Sequence, residues 1–267
     1  MCVVPNRLAT TALASPQRHT VDAIHGWPGS IFEFEKLIGP LTHPNDKNSP
    51  AFDVIIPSLP GFGYSGPTTT RGWGPQRMAK ALVVLMDRLG YSKYGIQGGD
   101  WGSTLAQDMA YQAPTHVIGL HLNVIFVPPP NQEAVVKMSD VERKRYSYFD
   151  REESSFFFLQ ASEPQTLAYA LTDSPVGWLA WMTGKFQMLT DNNGDFLTAV
   201  DRDTFLTDVT LYWATGTIGS AMRIYRENRL PERKWRRHHT WRLLWGMRTF
   251  RRRWLSRRLA GLLKHTT

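Results

Sequence analysis

The stretch KYGIQGGDWGS, residues 93–103, constrains the fold more than any other part of the chain. A short run with buried-strand character ends at two adjacent glycines, and the residues from Ser103 to about Gln112 read as a helix that stops near Pro114. Strand and helix are therefore joined by a turn with almost no residues to spare. Gly98 and Gly102 stand two positions before and two after Asp100, a spacing that thrusts the central side chain out above a sheet. Glycines are needed because neighbouring backbones crowd together at such a bend. Amides at the start of the following helix favour the anionic form of Asp100. An ionised carboxylate can attack an alkyl carbon directly and form an ester, with no base to deprotonate it. Peptide hydrolysis does not suit it. Ser103 lies inside the new helix and is a poor nucleophile. The competing reading of Asp100 is a plain helix cap; the preceding strand and the paired glycines favour the nucleophile.

The neighbouring segments place this bend in an α/β architecture with a parallel sheet. Residues 51–57 (AFDVIIP) read as a buried strand, and residues 74–90 as a helix with Met78, Leu82, Leu85 and Leu89 on one face and Gly90 as its stop. Residues 93–99 and 116–123 add strands, completing a strand–helix–strand–helix–strand alternation. His116 and His121 fall on or beside the last of these and read as structural. From about Val127 the pattern changes: after PPPNQ, residues 136–160, 163–190 and 203–226 read as helical. The expected organisation is an unassigned segment 1–24, a core 25–126, an inserted helical block 127–230, and a tail 231–267. At 267 residues the chain suits one large domain, or a core carrying a smaller insertion. The single cysteine, Cys2, excludes an intramolecular disulfide. No apolar run approaches the roughly 20 residues of a membrane helix, and no clear amphipathic pattern makes residues 1–20 a transit peptide.

The formal net charge of +8 belongs to one end: residues 231–267 hold twelve Lys/Arg and one acid, so that tail carries +11 and the remainder −3.

Ester hydrolysis develops an oxyanion, which needs two donors. One is the N–H of Trp101, directly after Asp100. The other belongs to an earlier strand-to-helix loop, and His25-Gly26-Trp27-Pro28-Gly29-Ser30 fits, with Trp27 as the donor and IFEFEKLIGPL following as a helix. Gly26 and Gly29 permit close backbone approach and Pro28 stiffens the turn. An ordinary Gly/Pro turn is the competing reading of that loop.

In order along the chain, HGWPGS, PSLPGFGYSGP, GGDWGS, LTDSPVGWLAW and LYWATGTIGSAMRIYRE resemble the epoxide hydrolase family of the microsomal and fungal type, over roughly residues 25–227. The resemblance implies an α/β-hydrolase core, a helical cap, and conversion of epoxides to vicinal diols with water, without cofactor or metal. A cytoplasmic protein of detoxification or aromatic hydrocarbon catabolism is expected. Opening an epoxide leaves an alkoxide that a neutral hydroxyl can protonate. In similar enzymes two cap tyrosines do this: one matches Tyr225, and the other falls at Phe156, which keeps the ring and loses the proton.

Both ends depart from the family's pattern. The orienting acid and the base histidine that the family carries late in the chain have no counterpart after Tyr225, and His238, His239 and His265 are not assigned that role. At the other end QRHTVDAI shows no convincing apolar strand. The expectation is that the termini are out of frame or come from a gene fragment, which reading the coding DNA in its other two frames tests. Uncovered apolar faces and a sheet edge are then expected to bring poor solubility. Two other functions are compatible with the elbow: a haloalkane dehalogenase, which would hold halide on ring N–H groups without Tyr225, and a catalytically dead scaffold. The tail's cations and four Trp could serve nucleic acid or an anionic membrane; neither is expected, and oligomeric state is left open. Asp191–Asp195 hints at a calcium loop, but Phe196 and Arg202 stand where Gly and Glu are required, so it reads as a plain turn.

Overall fold

The computed structural model describes residues 19–46, 48–125, 132–148 and 154–229. The segments 1–18 and 230–267, with His238, His239, His265 and the basic tail, lie outside the described residues.

Strands β1 (His19–Ile24), β2 (Phe52–Ile55), β3 (Tyr94–Gly98) and β4 (Val117–Leu122) form one parallel sheet in the order β2-β1-β3-β4. The first of these corrects the sequence reading, which leaves residues 1–24 without an element. His19–Ile24 pairs with β2 on one side and β3 on the other, so the core begins before residue 25. Its apolar pattern is hidden because polar groups face the interior: Thr20 and Asp22 are buried together with Ala23 and Ile24. Register then brings two loops together. Ile24 is paired with Gly98, so the HGWPGS loop leaves β1 beside the bend that leaves β3.

Helix α1 (Glu35–Thr42) follows a 3₁₀ turn at Ile31–Phe34, where a single helix was expected. Helix α2 (Pro75–Arg88) has Pro at its first turn, buries Met78, Leu82, Leu85 and Met86, and ends before Gly90, whose φ of +84° breaks the helix. Helix α3 (Trp101–Gln112) starts two residues earlier than expected, because Asp100 completes the reversal alone. Among the described residues strands β2 and β4 are the two sheet edges, and Ile118 on β4 is 59% exposed.

The second half is helical: α4 (Gln132–Val136), α5 (Asp140–Tyr148), α6 (Ser155–Ser162), α7 (Pro164–Asp173), α8 (Pro175–Leu189), α9 (Arg202–Ala214) and α10 (Ile218–Arg229). The long helical segments of the sequence reading divide at identifiable breakers. Ser174 accepts from the Gly177 N–H at 3.0 Å and Pro175 opens α8. Gly216, at φ +62°, separates α9 from α10. Around Asp191–Asp195 the polar side chains serve the turn: Asn192 accepts from the Gly194 N–H and Asp195 from the Leu197 N–H.

Helix α10 packs on α6 and α7 and touches α2. The PSLPGFGYSGP loop seats its first turns: Gly63 N–H donates to Thr217 Oγ1 at 3.1 Å, the Ser220 hydroxyl to Gly61 O, and Arg223 to Thr68 O at 2.6 Å. Trp27, Phe62, Trp178, Tyr212 and Tyr225 are among the largest fully buried side chains, so the core runs from the sheet into the helical block. Among the described residues no helix is long and apolar enough to cross a membrane.

Candidate active site

Asp100 joins β3 to α3 with φ +48° and ψ −125°, the only positive φ at a non-glycine among the described residues. Such a conformation costs on the order of 1–3 kcal/mol and persists only where the surroundings impose it. Here they do. A Cβ on Gly102 would stand 2.0 Å from the Ile24 carbonyl oxygen, and one on Gly98 would stand 2.4 Å from the Gly102 oxygen. The elbow is thus clamped between its own first helical turn and β1. Gly26 meets the same demand from the other side: a Cβ there would lie 2.4 Å from Asp100 Oδ1. That close approach lets the Trp27 N–H donate to Asp100 Oδ1 at 2.8 Å, across a cis Trp27–Pro28 turn. The Trp101 N–H also stabilises the carboxylate. Both amides that the sequence reading selects as a pair therefore converge on one carboxyl group.

Enclosure works against those amides. Desolvation pushes Asp100 up to about 6, and the Trp27 and Trp101 N–H groups pull it down only in part. The expectation that helix-start amides favour the anion has the right sign, but burial is the larger effect.

The loop is braced by groups that titrate far from neutrality or not at all. His25 is buried, its Nδ1–H donates to Gly26 O at 2.9 Å, and its Nε2 accepts from the Leu59 N–H at 3.2 Å. Burial pushes it down to about 4, so it is a neutral strut between two loops, with both nitrogens engaged. Tyr212 of α9 donates its hydroxyl to Gly29 O at 2.6 Å.

Tyr225 of α10 is buried at the centre of an aromatic cage. Trp101 lies 4.9 Å from it at 87°, Phe157 5.2 Å at 80°, Trp27 5.6 Å at 90° and Phe156 5.9 Å at 76°. Burial, then the charge of Asp100, push its phenol well above 10, opposed by the Trp101 and Gln160 side chains. The group therefore remains a neutral donor at any physiological pH. Phe156 stacks on Trp27 at 5.6 Å and 17°. The structure thus brings Asp100, Trp27, Trp101, Tyr225 and Phe156 to one place. His116 and the exposed His121 lie beside or on the edge strand β4 instead, with His121 hydrogen-bonded to Gln97.

Sequence reading missed two acids and an amide near this cage. The Glu33 carboxyl lies against Gly29, where an added Cβ would be 1.3 Å from Oε1. Glu33 as a residue is exposed, but its carboxyl is enclosed against the loop, and that enclosure, then Asp208 and Asp100, push it well above its ordinary value. Asp208 is buried and pushed up to about 7, opposed by the Ser30 hydroxyl. Gln160 of α6 is 0% exposed. None had a local signal: Asp208 and Gln160 are polar residues on helix faces that packing alone turns inward, and Glu33 is an exposed residue of a 3₁₀ turn whose carboxyl folds back on Gly29.

The alpha/beta hydrolase fold family matches residues 23–166. A protein of Stigmatella aurantiaca named provisionally as an epoxide hydrolase is 45% identical over 210 residues, covering 76% of this chain and 48% of that protein. Epoxide hydrolase 1 of Sus scrofa is 35% identical over 230 residues, covering 77% of this chain and 51% of that protein. The crystal structure of juvenile hormone epoxide hydrolase from the silkworm Bombyx mori superposes with a TM-score of 0.72 at 29% identity, over 81% of this chain and 56% of that one. The chain spans about half the length of the curated relatives it matches. The parallel sheet, the strained bend at Asp100 and these matches together show that the chain belongs to the alpha/beta hydrolase fold family, and that within it its sequence and structure resemble epoxide hydrolases.

Proposed function

We propose that the chain opens epoxides by attack of Asp100. The observation that carries this reading is the meeting, at one strained residue, of a carboxylate, two backbone donors and a buried neutral phenol. An Asp100 oxygen bonds to a ring carbon, the ring C–O bond breaks, and its electron pair passes to the ring oxygen. That oxygen takes the proton of Tyr225 Oη. In the second step water adds to the ester carbonyl, and the N–H groups of Trp27 and Trp101 hold the resulting oxyanion. That addition needs a base. His25 cannot serve, because its ring nitrogens are both engaged, and no other described residue is assigned the role. The ester is accordingly expected to accumulate.

The proposed partners are a small epoxide and water, with Phe156 narrowing the acid function to one tyrosine. Removing an epoxide removes an alkylating agent, the chemistry on which a detoxifying or hydrocarbon-catabolic role would rest. One observation favours halide chemistry as a second reading: the indole N–H of Trp27 is buried without a partner among the described residues. Incubation with styrene oxide or benzyl bromide, followed by peptide mass spectrometry, tests both readings. A stable adduct on the peptide carrying Asp100, absent in Asp100→Asn, is expected with styrene oxide. Labelling of both proteins alike, or of neither, defeats the proposal; labelling by benzyl bromide alone supports the halide reading.

A further inference from the structure

Besides the Trp27 indole, a second polar side chain at the aromatic cage has no partner. Gln160 is fully buried, and neither its amide oxygen nor its amide nitrogen is hydrogen-bonded among the described residues. Leaving a buried amide unpaired costs on the order of 1–3 kcal/mol. A glutamine with a purely architectural role would be bonded to the fold.

Its position relates it to the proposed acid. Phe156 and Gln160 are four residues apart on α6 and so share a face of that helix. Along this stretch α6 receives α10: Phe156 and Phe157 both meet the ring of Tyr225, and Arg226 donates to the Ala161 carbonyl at 3.4 Å. Gln160 lies close enough to the Tyr225 hydroxyl to favour its ionised form, yet the two groups are not hydrogen-bonded to one another. The cage therefore holds a phenol and an orphan amide side by side, at the turn of helix where Phe156 contributes no hydroxyl.

We propose that Gln160 is a catalytic residue for ring opening, its amide N–H donating a hydrogen bond to the epoxide oxygen alongside Tyr225. The inference rests on the epoxide reading above. As Asp100 bonds to carbon and the ring C–O bond breaks, negative charge gathers on oxygen. The proton that neutralises it comes from Tyr225 Oη, and Gln160 transfers none. The amide holds the oxygen in line with the phenol and stabilises its charge until the proton moves, after which water reprotonates the phenolate. Two donors on one oxygen are retained, although only one of them is an acid.

The test compares two electrophiles at one nucleophile. A departing bromide needs no proton, whereas an epoxide oxygen does. Single-turnover esterification of Asp100 by styrene oxide and by benzyl bromide is followed in the full chain by mass spectrometry, in wild type, Gln160→Leu and Phe156→Tyr/Gln160→Leu. Gln160→Leu is expected to slow styrene oxide about tenfold or more and leave benzyl bromide unchanged, as befits one lost hydrogen bond to developing charge. The double variant, which restores a second hydroxyl, is expected to recover the epoxide rate. Equal slowing of both electrophiles, or none, overturns the proposal while leaving Asp100 as the nucleophile. Absence of labelling by either in wild type defeats the underlying reading, and this inference with it. Should Gln160→Leu fail to fold, Gln160→Asn, which withdraws the amide by one methylene, decides by the same comparison.

Discussion

At the scale of single residues, the chemistry depends on environments that oppose intrinsic tendencies. Asp100 is held at about 6 because desolvation outweighs two amide donors. Only the carboxylate attacks carbon, so protonation removes the nucleophile. Ester formation with styrene oxide is therefore expected to fall as pH drops through about 6, some two units above the midpoint of an ordinary aspartate. Tyr225, held well above 10, adds no loss on the alkaline side of neutrality. A single-turnover pH profile checks both, and a midpoint near 4 would show that the carboxyl is solvated. Phe156 supplies a second prediction. Its ring already stacks on Trp27 beside Tyr225, so Phe156→Tyr adds a phenol without rebuilding the cage. It is expected to speed epoxide opening about tenfold or more, by the ordinary worth of a general acid; an unchanged rate would place residue 156 outside the reacting centre.

At the scale of elements, the bend between β3 and α3 is a packing solution that admits no Cβ on its inner side. Gly102→Ala sets a methyl 2.0 Å from the β1 backbone at Ile24, and neither strand nor helix can retreat without opening the sheet. A loss of about 1–3 kcal/mol or more is expected in urea denaturation. Gly99→Ala is the control: its methyl would meet only the Asn123 side chain, at 3.4 Å, and should change stability by no more than about 0.5 kcal/mol. Equal effects at the two positions would contradict the clamp. The bend was legible in sequence because Gly-x-Asp-x-Gly reports backbone crowding within a few residues. Strand His19–Ile24 was not, because Asp22 and Thr20 occupy buried positions where periodicity expects apolar groups. The division of the helical segments at Ser174-Pro175 and Gly216 was written in local residues but outweighed by longer apolar runs.

At the scale of the whole molecule, the sheet is centred on a strand that carries an unpaired buried acid. Asp22 has no hydrogen-bond partner on either oxygen among the described residues, and burial pushes it up to about 8. The folded chain thus binds a proton that the unfolded chain releases near 4. Stability from this group is complete below that value and is lost as pH rises towards 8, at roughly 1.4 kcal/mol per unit. Asp22→Asn should flatten the profile and be the more stable form in alkaline urea melts; parallel profiles would mean that Asp22 is solvated or paired. Local spacing was enough to read the sharp bend and the alternation of strands and helices, since these depend on residues close together in the chain, and the short motifs in their order carried the family resemblance. Packing between distant segments decided the rest: the neutral state of His25, the cage that places Phe156 and Gln160 beside Tyr225, the acids behind Gly29, and the balance between amide donors and desolvation at Asp100. Burial and partnership are set by neighbours tens of positions away, 34 between His25 and Leu59 and 73 between Trp27 and Asp100, and no periodicity along the chain encodes them.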